Sequence, residues 1–103
     1  MTMPRLIVSK EARNDLIAIH RYIRDELENP TAAVRIIRAL KDSMERLKEY
    51  PSIGKPLDAL IPVHTEYRYL VCENYCVFYL SNEQETMVIR ILHQRQDCLR
   101  ALF

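Results

Sequence analysis

His93, Arg95 and Asp97 stand at alternate positions near the end of this 103-residue chain. An imidazole titrates close to neutrality and can give or take a proton. A guanidinium grips phosphate or carboxylate through a planar fork, and a neighbouring carboxylate can orient it. Together they suit either acid–base chemistry on a phosphate or the holding of an anionic partner. Arg68, further upstream, offers a second fork, and Tyr75 or Tyr79 can hydrogen-bond or stack against a base. A structural alternative stands beside each role. Arg68 or Arg95 can pair with Asp97 to lock the tail onto a sheet, His93 can be an ordinary strand-end histidine, and Arg90 can serve either purpose.

The trio must be positioned by the apolar run before it, Met87-Val88-Ile89-Arg90-Ile91-Leu92, which reads as the final strand. Two more strands precede it, Tyr67 to Cys72 and Tyr75 to Leu80, with Glu73-Asn74 as a hairpin turn. That turn sets Val71 opposite Cys76 and Cys72 opposite Tyr75. Cys72 and Cys76 then lie on opposite faces, unable to share a disulfide or a zinc ion. Alternation puts Tyr67, Tyr69, Val71, Cys76, Phe78 and Leu80 on one face. The other face takes Arg68, Leu70, Cys72, Tyr75, Val77 and Tyr79, and its cation and phenols mark it as the open side.

The first half of the chain is helical. After a β-prone run, Arg5 to Val8, Ser9 is an N-cap with Glu11 in the first turn. Ala12, Leu16, Ile19, Ile23 and Leu27 form one apolar stripe, ended by Asn29-Pro30. Thr31 is placed to cap a second helix with the stripe Ala33, Ile37, Leu40, Met44 and Leu47, closed at Tyr50-Pro51. The opposite faces carry charges at a spacing of four, such as Arg21/Asp25, Arg38/Asp42 and Asp42/Arg46, which read as weak solvated pairs. Residues 51–66 read as irregular, and Leu99, Leu102 and Phe103 equip the tail to dock as a short helix or arm. The order β-α-α-β-β-β predicts an α+β domain over residues 1–103, an antiparallel sheet with an N-terminal helical hairpin packed on one face.

Composition narrows the classes. Fifteen basic and fourteen acidic residues give a net charge of +1, without the basic excess usual in binders of nucleic acid. No apolar run reaches the roughly 18 residues that span a bilayer, and the N-terminus lacks a signal-peptide pattern. A cytoplasmic protein is expected. The three cysteines, Cys72, Cys76 and Cys98, read as packing residues in a reducing compartment.

Several landmarks occur together: Ser9-x-x-Ala12-x-x-Asp15-Leu16 with Ile19 and Tyr22-Ile23; Pro51-Ser-Ile-Gly54-Lys-Pro56; Tyr67-Arg68-Tyr-Leu70; Asn74-Tyr75-Cys-Val-Phe78-Tyr79; and Val88-Ile-Arg90-Ile-Leu92-His93-x-Arg95-x-Asp97. In this order the chain resembles a RelE/ParE-superfamily toxin of a bacterial type II toxin–antitoxin system. The resemblance implies the same β-α-α-β-β-β fold, inhibition of growth, and a cognate antitoxin that neutralises the toxin by wrapping on its surface. It implies no metal and no cofactor. Its branches differ in target: one cuts mRNA on the ribosome, another inhibits DNA gyrase without nuclease chemistry.

As a nuclease, the chain would use Arg68, His93 and Arg95 as its catalytic group, supported by Tyr79, Arg90 and Asp97. It departs from the RelE-like pattern, however. Ala59 and Ile61 stand near the places of lysines, with only His64 nearby, and no tyrosine follows Tyr79. The near-neutral charge also argues against a grip on ribosomal RNA. The sequence therefore leans to a ParE-like, non-catalytic toxin acting on gyrase. The alternatives are a ribosome-dependent mRNA endonuclease and a decayed, non-toxic antitoxin-binding domain.

Overall fold

Ser9 turns the chain from strand to helix. In the computed structural model, which describes residues 5–94 and 98–103, β1 (Arg5–Val8) runs into α1 (Lys10–Arg21). The Ser9 hydroxyl accepts from the Ala12 amide at 3.0 Å, the geometry of an N-cap. The expected stripe holds as far as Ile23, with Ala12, Ile19 and Ile23 buried and Leu16 packed beside them.

Beyond α1 the turn widens. Tyr22–Glu26 is π-helical, and the Leu27 amide bonds to the Tyr22 carbonyl at 3.2 Å. The wider turn shifts the face that follows, so Leu27 is 55% exposed instead of continuing the core stripe. Glu28 then takes φ 49°. Asn29, not Thr31, caps α2 (Pro30–Glu49), accepting from the Ala32 amide at 3.0 Å. Pro30 fits the first helical position because no amide is needed there. On α2, Ala33, Leu40, Met44 and Leu47 are buried and Ile37 is half-buried, as the spacing predicts. The charged faces differ from expectation: Asp25 pairs with adjacent Arg24 at 2.7 Å, and no Arg38–Asp42 or Asp42–Arg46 ion pair forms among the described residues.

Three long strands follow: β3 (Arg68–Cys72), β4 (Tyr75–Ser81) and β5 (Glu85–His93). A short β2 (Lys55–Pro56) and a 3-10 turn, Leu57–Ala59, lie within the stretch expected to be irregular. The sheet order is β1-β5-β4-β3-β2. The α+β class and the order of the main elements are as predicted. The sheet is mixed, however, not wholly antiparallel: β1 returns beside β5 in parallel, from Arg5↔Glu85 to Val8↔Val88. The β3–β4 register pairs Val71 with Cys76 and Cys72 with Tyr75, as the Glu73-Asn74 turn requires.

The faces of the hairpin are reversed from expectation. Tyr75, Val77 and Tyr79 are buried in the main core, with α1 and α2 residues, and Leu70 and Cys72 pack against it. The Tyr79 hydroxyl brings the reason. It donates to the Pro51 carbonyl at 2.6 Å and accepts from the Gly54 amide at 2.9 Å. A buried phenol with both bonds made is no obstacle to a core. On the opposite face a smaller cluster gathers Leu57, Phe78 and Leu92, with Tyr69, Cys76 and residues of α3 (Cys98–Leu102) packed against it. Phe103 meets Tyr67 edge-on at 5.6 Å between ring centroids.

Candidate functional site

The upper half of β5 outlasts its parallel neighbour, and α1 completes its edge. β1 ends at Val8, opposite Val88. Beyond that point Ser9 Oγ donates to the Ile89 carbonyl at 2.8 Å, and Asp15 accepts from the Ile91 amide at 2.9 Å. Asp15 also receives both prongs of Arg90, from Nε at 2.8 Å and Nη2 at 3.0 Å. The β4–β5 ladder slips here, pairing Phe78 with Arg90 but Tyr79 with Val88, so Ile89 is an extra residue. A single carboxylate thus ties α1 to the bulge. The hydrogen bonds that Arg90 donates to Asp15 raise its pKa further, so it remains cationic.

The sequence pattern gives Asp15 no role of its own. A signal was available: an acid three residues after Ala12 and next to Leu16 sits at the border of an apolar stripe, where an unpaired charge is costly.

His93 lies at the end of β5, opposite Tyr75, and the two rings meet edge-on at 5.5 Å. Burial, and then the neighbouring Tyr22, push the Tyr75 phenol above its ordinary range, so it remains a donor. Beside them opens a groove of about 600 Å³, lined by Ile19, Tyr22, Ile23 and Leu27 on one wall and by Ile91 and His93 on the other.

Arg68 sits elsewhere. It lies opposite Tyr79, and its Nη2 reaches the Ser52 carbonyl at 3.4 Å. Its Nε is buried with no hydrogen-bond partner among the described residues. Arg68 and Tyr79 together hold the loop after α2. Along β4, four residues separate the partners of Arg68 and His93, about 13 Å of strand, with two strand spacings of about 5 Å between them as well. The structure therefore does not bring these two side chains to one phosphate. Arg95 and Asp97, and with them the expected clasp to the tail, lie outside the described residues.

The cysteines divide as the register demands. Cys72 packs against the helix-side core and Cys76 against the opposite cluster, and all three thiols are free. Cys98 joins the Cys76 cluster, a neighbour the sequence reading did not foresee. Burial, and then Cys98, raise the Cys76 thiol pKa. No helix among the described residues is long and apolar enough to cross a membrane.

Residues 6–98 match the model of a family described as the ParE toxin of the type II toxin–antitoxin system, parDE. Among solved structures, the chain is similar to one described as "Chromosomal ParDE TA system from P. aeruginosa". The TM-score is 0.73 at 20% identity, over 88% of this chain and 96% of that one, a likeness of fold. A comparison with curated proteins finds no match.

Proposed function

The chain belongs to the ParE toxin family of type II toxin–antitoxin systems, and from that premise we propose that it inhibits growth by binding DNA gyrase, without nuclease chemistry, until a cognate antitoxin neutralises it. The observation that carries this reading is the family match over residues 6–98. The geometry supports it from a second side. Arg68 is turned to the Ser52 carbonyl and the supporting Arg90 to Asp15, so one candidate phosphate ligand and one supporting cation of the nuclease reading have internal partners. The mRNA-cleaving alternative has correspondingly less support.

The antitoxin is assigned the groove beside Tyr75 and His93. Its apolar walls suit an amphipathic segment, and the completed edge of β5 selects the kind. A strand added there would need the Ile91 amide, which Asp15 already holds. A helix laid along Tyr22, Leu27 and Ile91 needs no such bond.

Controlled induction in bacterial cells, with purified gyrase assayed in parallel, tests the function. Filamentation, a DNA-damage response, intact messages and loss of supercoiling activity are expected. Messages cut at codon boundaries would replace this reading with the nuclease. Normal growth despite soluble protein would leave only a non-toxic antitoxin-binding domain.

A further inference from the structure

A second groove, of about 450 Å³, is lined by α1, the widened turn and α2 alone, and the proposed function leaves it unused. Its floor is apolar. Leu16 and Ile37 are half-buried there, and Ile17 is 57% exposed. Its rim is cationic. Arg13 and Arg21 on α1 face Lys41 on α2, with His20 between, and no carboxylate lines the groove. Arg24 closes one end with its charge offset by Asp25, 2.7 Å away. The side chains of Arg13, Arg21 and Lys41 form no ion pair among the described residues, and Arg21 acts on Asp25 only through its field. A chain with a net charge of only +1 thus gathers Arg13, Arg21 and Lys41 around one partly exposed apolar strip.

We propose that this groove docks an acidic amphipathic helix of a partner protein. Charge complementarity selects the acid, and the floor selects an apolar stripe to cover Ile17. The walls are helices, whose backbone groups are already bonded, so strand addition is closed and side chains must carry the contact. From Arg13 to Arg24 the groove follows eleven residues, about 16 Å at helical rise, which matches about three turns of a docked helix. A second copy of this chain fits poorly. A two-fold contact through the same patch would bring the Arg13, Arg21 and Lys41 rows together. Nucleic acid fits poorly too, because no Phe, Tyr or Trp lines the groove to stack a base and the apolar floor would have no partner. The inference is independent of gyrase being the target.

The test uses the full chain with labelled isoleucine and leucine methyl groups, titrated with an N-capped helical peptide of about 14 residues. The peptide carries leucines at helical spacing and glutamates elsewhere, and a lysine-for-glutamate version is the control. The acidic peptide should shift the Leu16, Ile17 and Ile37 resonances and bind more tightly at low salt. Ile17→Asp should abolish these shifts, and Arg21→Glu with Lys41→Glu should weaken binding at least about tenfold. Circular dichroism of each variant should match the parent, since the replaced side chains lie at the surface. The proposal is overturned if the acidic peptide leaves these methyl groups unmoved, or if the lysine peptide binds equally. Preferred binding of duplex DNA, or self-association that covers Ile17, would overturn it as well.

Discussion

At the scale of single residues, Gly54 and Tyr79 show how tightly the loop after α2 is set. A Cβ on Gly54 would stand 2.5 Å from the Tyr79 hydroxyl oxygen and 2.7 Å from the Tyr69 carbonyl oxygen. Gly54→Ala should therefore cost about 3 kcal/mol, read as a lower denaturant midpoint. Tyr79→Phe removes the partner of the Pro51 carbonyl and the Gly54 amide and should cost about 1–3 kcal/mol. The double variant should not regain the loss, because the Tyr69 carbonyl is backbone and still in the way. Recovery to the level of Tyr79→Phe would show that the hydroxyl alone excludes a side chain. The Cys76 thiol offers a pH test with a definite sign. Burial favours its neutral form in the folded state, and Cys98 adds to the shift, so its folded pKa lies above the ordinary 9.0. The associated stability is complete below pH 9.0 and is lost as pH rises through the folded value. Alkylation of Cys76 in the folded chain should accelerate only above that pH, whereas in denaturant it should follow an ordinary thiol. Equal profiles would remove burial as the cause.

Elements are joined here by a few polar contacts, and these were the features hardest to read from sequence. Asp15 is the clearest, since one carboxylate satisfies the Arg90 fork and the Ile91 amide together. Asp15→Ala should destabilise the fold by about 2–3 kcal/mol, because it leaves a half-buried cation and an amide without an acceptor. Amide exchange at Ile91 should rise more than at Val77, and a uniform rise would mean that Asp15 acts on global stability alone. The turn between the helices gives a test of opposite sign. Glu28 holds φ 49°, where a Cβ is strained, so Glu28→Gly should raise stability by about 0.5–1 kcal/mol. A loss of stability would assign the Glu28 side chain a contact of its own. The Ser9 cap and the β3–β4 register were legible because each depends on a few adjacent residues. The parallel return of β1 was not, since its partner lies about eighty residues away. The π-helical turn leaves no mark on the apolar spacing, so the spacing alone extends the core stripe to Leu27. The face of Tyr75 and Tyr79 was misread because the partners of the Tyr79 phenol arrive from the Pro51–Gly54 loop, not from the strand pattern.

Across the whole molecule, the helical hairpin is covered by the sheet on one side and presents separate grooves at its end and on its outer face. The candidate nuclease residues Arg68 and His93 also stand apart, Arg68 on β3 against the loop after α2 and His93 at the far end of β5. That separation bears on how toxicity and neutralisation are related. If the antitoxin helix lies along Tyr22 and Leu27, its affinity should depend on these two residues, which are 52% and 55% exposed. Tyr22 opens the π-helical turn and Leu27 follows it, and both are exposed, so polar replacements should leave the core intact. Tyr22→Asp with Leu27→Asp should weaken the complex with the cognate antitoxin by at least about tenfold, measured by calorimetry, with little change in thermal stability. Inhibition of purified gyrase by the double variant, compared at equal concentrations of folded protein, separates the two surfaces. Retained inhibition with weakened antitoxin binding would place the target contact elsewhere on the molecule. Loss of both together would mean that antitoxin and target compete for one groove, and unchanged antitoxin affinity would remove this groove as the seat of neutralisation.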